Sequence, residues 1–127
     1  IIRYAKRYGF DYNFNPHFPI NTLNLMRSAV GMLEHERFVE FNDVLFKAVW
    51  RDQKNMGDPE TVKEVIEIGG FDFNKIFALS TDQRVKDELK ERTVKAVERG
   101  LFGAPTMFLD NEMYWGQDRI FMIEEQL

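Results

Sequence analysis

The chain has 127 residues, 44% of them hydrophobic and 14% aromatic, enough to pack the core of one domain. Its 17 Lys and Arg against 21 Asp and Glu leave a net charge of −4, which argues against nucleic acid, because phosphate binding needs concentrated cations. The absence of cysteine excludes a disulfide framework and a Cys-x-x-Cys centre within these residues, the isolated His17 and His35 give no metal-ligand spacing, and no apolar run or signal-like start suggests a membrane, so a soluble, cytoplasmic protein without a metal is expected.

The chain opens on Ile1-Ile2-Arg3-Tyr4, without Met, directly into helical character that reaches Tyr8, and it reads as part of a longer protein. Gly9 is placed as the helix stop. Residues 11–15 alternate polar and aromatic with period two and predict a short strand ended by Pro16. Asn21 is expected to cap a helix whose apolar stripe is Leu23, Met26, Val30 and Leu33. A second long helix is predicted from Glu36 to Arg51, with Phe38, Phe41, Leu45, Ala48 and Val49 facing a core. Asp58-Pro59-Glu60 is a start signal: Asp58 caps, Pro59 suits the first helical position, and Glu60 favours the dipole. That helix stops at Gly69-Gly70, and a short one follows over Phe73 to Leu79.

Ser80-Thr81-Asp82-Gln83 matches a capping box for a helix reaching about Arg99. Its i,i+4 charge pairs (Asp82/Lys86, Glu88/Arg92, Glu91/Lys95) mark a solvated face, and Val85, Leu89, Ala96 and Val97 its buried edge. After Gly100 the period changes. Thr106 to Leu109 and Glu112 to Trp115 predict two strands joined by Asp110-Asn111, residues that tolerate a positive φ. A final helix starts near Asp118, with Ile120, Ile123 and Leu127 on one face.

Two stretches carry chemistry. At Ala104-Pro105 an X-Pro bond stands at the mouth of a strand. In the cis form it turns the peptide groups of Ala104 outward, where an extended ligand could pair with them as an added strand. A trans proline that merely begins the strand is the plain alternative. At Trp115-Gly116-Gln117-Asp118 a helix start offers N–H groups to a carboxylate, and a carboxylate side chain to an ammonium group. The alternative there is that Asp118 only caps the last helix.

The run Gly100-Leu101-Phe102-Gly103-Ala104-Pro105-Thr106 followed by Trp115-Gly116-Gln117-Asp118-Arg119 resembles the kappa-class glutathione transferases and 2-hydroxychromene-2-carboxylate isomerases, a branch of the DsbA-like thioredoxin fold. Phe14 to Thr22 and Gly57 to Glu60 look like further parts of the same pattern, so the resemblance covers essentially the whole chain. It implies an α/β fold: a partial thioredoxin-like domain over 1–16 and 100–127, interrupted by an all-helical insertion over 17–99. It implies glutathione as cofactor, its cysteinyl part on Ala104 and Pro105, and its γ-glutamyl end near Trp115, Gly116, Gln117 and Asp118. It places a small aromatic substrate near Asn21 and Trp50, although Asn21 also reads as a cap and Trp50 as a core or cleft-wall aromatic. A homodimer is likewise implied.

The resemblance also implies a strand and helix upstream of Ile1, with a serine that activates the glutathione thiol. Ser28 and Ser80 read as helix or cap residues, so no catalytic residue is assigned in this chain, and residues 1–127 alone are expected to bind weakly and catalyse nothing. Trp115 to Arg119 favours an isomerase acting by reversible thiolate addition to an unsaturated aromatic 2-oxo acid. The other readings are a kappa-type transferase, a DsbA-like thiol-disulfide oxidoreductase if an upstream segment carries Cys-x-x-Cys, and a non-catalytic helical interaction domain.

Overall fold

A computed structural model describes residues 1–127 as two compact units, 1–89 and 90–127. The first is helical: α1 (Ile2–Tyr8), α2 (Leu23–Gly31), α3 (Phe38–Trp50), α4 (Pro59–Ile68), α5 (Phe73–Thr81) and the opening turns of α6 (Gln83–Glu98). No helix is long and apolar enough to cross a membrane.

Local chemistry explains most of the helix ends. Gly9 takes φ 71°, the left-handed turn that lets its N–H meet the carbonyl of Lys6 at the end of α1. Asp58 caps α4 by accepting from the N–H and the hydroxyl of Thr61, both at 2.8 Å, and these bonds hold its carboxyl below the ordinary aspartate range. Asp72 caps α5 through the N–H of Lys75. The expected capping box at Ser80 does not form, because α5 continues through Thr81. Ser80 instead donates to the carbonyl of Phe77, Thr81 to those of Phe77 and Ala78, and Asp82 receives the N–H of Arg84 at 2.8 Å. Asp82 correspondingly pairs with Arg84, not Lys86, while the Glu91/Lys95 pair forms at 2.6 Å.

The stripe expected on α2 is rotated. Leu25, Ser28 and Met32 are buried, whereas Leu23 and Met26 lie about half exposed. The small residues decide this orientation. Ser28 returns its hydroxyl to the carbonyl of Asn24, and a Cβ on Gly31 would lie 2.9 Å from Leu79 Cβ, so α2 packs tightly on α5. The core then runs through Phe41, Leu45 and Ala48 of α3, through Met56 in the turn before α4, through Val65 and Ile66 of α4, and on to Phe71 and Ile76. Phe41 meets Phe71 edge-on at 5.2 Å between centroids.

Residues 11–15 form no strand, contrary to the alternation. They are tied instead to the end of α3, whose last carbonyls lack helical partners. The N–H and side-chain amide of Asn13 donate to the carbonyls of Trp50 and Arg51, each at 2.6 Å. Asn15 is wholly buried; its amide donates to Val49 and Lys54 carbonyls at 2.8 and 2.9 Å, and its oxygen accepts from the N–H of His17. Gln53 adds a bond to the carbonyl of Phe14. Residues 13–15 are thereby fastened to the end of α3.

In residues 90–127, the second half of α6 leads into β1 (Thr106–Leu109) and β2 (Glu112–Trp115), an antiparallel hairpin pairing Thr106 with Trp115 and Leu109 with Glu112. Asp110 makes the turn at φ 51°. A 3₁₀ turn (Gln117–Arg119) and α7 (Ile120–Glu124) follow. Val97, expected on the buried edge of α6, is exposed.

Candidate functional site

Strand alternation puts Thr106, Phe108, Met113 and Trp115 on one face of the hairpin, and Met107, Leu109, Glu112 and Tyr114 on the other. On the first face the Arg99 guanidinium lies 3.5 Å from the centre of the Phe108 ring, and Phe102 meets Trp115 at 5.0 Å between centroids. On the second face, Tyr114 is buried and its hydroxyl donates to Glu112 at 2.6 Å. The Glu112 carboxylate, and burial after it, push the phenol above its ordinary pKa, opposed by a hydrogen bond with Gln126.

The hydrogen-bond ladder continues one step past the strands: the N–H of Gly116 donates to the carbonyl of Pro105 at 2.9 Å. That bond joins the two stretches singled out in the sequence, Ala104-Pro105 and Trp115 to Asp118. The Ala104–Pro105 peptide is cis, as is Phe18–Pro19. The loop before β1 is held internally. Thr106 Oγ1 donates to the carbonyl of Gly103 at 2.7 Å, and the Trp115 indole fills the space a Cβ on Gly103 would need, its Nε1 being 2.5 Å from that position. The carbonyls on both sides of Ala104 are thus engaged. Ala104 itself is exposed, and neither its N–H nor its C=O is engaged by a backbone partner.

Gly116 adopts φ 101° and ψ 145°, a conformation open chiefly to glycine, and a Cβ there would fall 2.5 Å from Asp118 Oδ1. Asp118 makes no side-chain cap; Gly116 occupies the N-cap position of the 3₁₀ turn, and the Arg119 N–H bonds back to its carbonyl at 3.1 Å. The carboxylate of Asp118 is half-buried, folded over Gly116, and Gln117 is exposed beside it. This is a compact polar corner, able to meet a group that carries both an ammonium and a carboxylate.

Asn21 and Trp50 belong to residues 1–89. Asn21 stands one residue outside the expected cap position, which Thr22 takes, and its Oδ1 accepts from the N–H of Leu23 at 3.1 Å. Trp50 stacks on Tyr12 and meets Phe18, each at 5.9 Å between centroids. Sequence reasoning passed over Gly103 and Thr106 as mere flanks of the proline. The signal available was a small residue and a hydroxyl spaced three apart around it.

The chain belongs to the DSBA-like thioredoxin domain family, which it matches over residues 1–127. It is 39% identical over 123 residues to a 2-hydroxychromene-2-carboxylate isomerase of Pseudomonas sp. (strain C18), covering 94% of this chain and 57% of that relative. It is 30% identical over 126 residues to the protein of the same name from Pseudomonas putida, covering 98% of this chain and 61% of the relative. A solved structure of a selenomethionine 2-hydroxychromene-2-carboxylate isomerase superposes with a TM-score of 0.77 at 30% identity, over 98% of this chain and 61% of that one. The chain therefore spans about 60% of the length of these relatives. Its fold is the DsbA-like thioredoxin type, rich in helix with a small two-stranded sheet.

Proposed function

We propose that the protein is a glutathione-dependent isomerase of the 2-hydroxychromene-2-carboxylate type. One observation carries this reading: Ala104 is exposed with its peptide groups unengaged, and the bond from Gly116 to Pro105 sets it beside the Gly116–Asp118 corner. An extended tripeptide with a zwitterionic end needs both features, a backbone edge for its middle and paired charges for its terminus. The names of the relatives supply the reaction class.

In this reading Ala104 and Pro105 hold the cysteinyl part, Gln117 and Asp118 bind the γ-glutamyl ammonium and carboxylate, and Trp115 and Gly116 shape the corner. Gly116 keeps the corner open because any side chain there would collide with Asp118. Bound glutathione supplies a thiol for reversible addition to an unsaturated aromatic 2-oxo acid. Neither Ser28 nor Ser80 offers a hydroxyl to activate that thiol: both are buried and donate to helix carbonyls. The activating serine belongs to the segment upstream of Ile1 that the resemblance implies. Asn21 and Trp50 remain the proposed substrate contacts, and a homodimer the proposed assembly.

Thermal melts with added glutathione test the cofactor: at 100 times its Kd a ligand stabilises by about 2.7 kcal/mol, so the melting temperature rises with the tripeptide. Residues 1–127 alone bind weakly and show no turnover. In the protein with its upstream segment, a rearranged product with glutathione unconsumed supports the isomerase. Accumulation of a thioether replaces it with a transferase, and no melting response at saturating glutathione refutes the reading.

A further inference from the structure

We infer that Thr106 is a positioning residue: its hydroxyl aims the Ala104 N–H at the ligand by gripping the carbonyl of Gly103. The inference rests on the glutathione reading above. The C=O of Gly103 and the N–H of Ala104 belong to one planar peptide unit and point in opposite directions. Fixing one end of that plane therefore fixes the other. Thr106 Oγ1 fixes the carbonyl end at 2.7 Å, and the Trp115 indole, packed where a Gly103 side chain would stand, bars the plane from tilting that way. On the far side of Ala104, the Gly116 N–H holds the Pro105 carbonyl at 2.9 Å. The hairpin thus presents one unpartnered, outward donor at a set angle, and a single side-chain hydroxyl sets it.

The grip is local, spanning three residues, and lies outside the strand ladder, so its removal leaves the hairpin in place and releases only the plane. Thr106→Val keeps the branched shape and loses the hydroxyl; Thr106→Ser restores it. The test compares amide NMR of the protein with its upstream segment, as wild type and as both variants, free and titrated with glutathione. In the free proteins the Ala104 amide is a single sharp signal in wild type and Thr106→Ser, and is doubled or broadened in Thr106→Val. The Gly116 amide keeps its exchange protection in all three, which a general loss of structure would not permit. On titration, Thr106→Val binds glutathione about fivefold more weakly, the scale of one hydrogen bond, and Thr106→Ser stays within about twofold of wild type. An unchanged Ala104 signal in Thr106→Val, or an unchanged Kd, overturns the inference. If wild type gives no saturable response, the glutathione reading falls, and the comparison of the free proteins still decides whether Thr106 orders Ala104. Should Thr106→Val fail to fold, Thr106→Ala, which removes the hydroxyl without adding a methyl group, takes its place.

Discussion

Residues 1–89 and 90–127 keep their shapes by different means. The first unit hides Phe41, Met56 and Ile66 almost completely within a continuous apolar cluster. In the second, Tyr114 is the buried member among the hydrophobic residues, and Phe102, Trp115 and Phe121 are half or more exposed. There the order comes from the strand ladder, from one cation over a ring, and from close approaches at Gly103 and Gly116. The residues proposed to grip the tripeptide all lie in the thinly covered unit. Binding surfaces need reachable backbone, and a dense apolar cover would remove it.

That contrast can be broken by substitution, beginning with the largest expected effect. Phe41→Ala removes a fully buried ring and should destabilise the helical unit by about 3–5 kcal/mol in urea unfolding. Asn15→Ala strands the carbonyls of Val49 and Lys54 and should cost about 2–3 kcal/mol by the same measurement. Gly116→Ala forces a side chain into a strained backbone and onto Asp118; about 1–2 kcal/mol of local stability and most of the glutathione melting response should go. If Gly116→Ala were as damaging as Phe41→Ala, the two units would not differ in the way described.

The smallest effect concerns Asp58. Its carboxyl titrates lower in the folded chain than in the unfolded one, because Thr61 donates to it twice. The unfolded state therefore takes up the proton first as pH falls. The cap's contribution is complete above the ordinary aspartate pKa of about 3.9 and fades as pH drops through the lower folded value. A urea midpoint that falls below pH 4 in wild type, and falls less steeply in Asp58→Ala, is the expected result.

The hairpin was legible because its signals are short-range: a change of period after Gly100, two short apolar runs, and a turn pair that accepts φ 51° at Asp110. Asp58-Pro59 was legible for the same reason. Residues 11–15 misled because period two describes extended backbone, and does not say what will pair with it. Here the partners are carbonyls more than thirty residues away, at the end of α3. The face of α2 misled because Ser28 and Gly31 bring no large apolar side chain to mark it, yet their smallness is what lets α5 approach. Of the candidate site, the Gly116–Asp118 corner could be read as a motif. Its coupling to Ala104 could not, since that rests on a single bond between Gly116 and Pro105.

The seam between residues 13–15 and the end of α3 has one more consequence. It is closed by Asn13, Asn15 and Gln53, side chains that never ionise, meeting peptide oxygens that never do either. Brine cannot screen such a fastening, and neither acid nor alkali in the biological range can discharge it. Where the surface pairs such as Arg37 with Glu40 and Lys47 with Asp43 loosen in strong electrolyte, this joint should keep its grip.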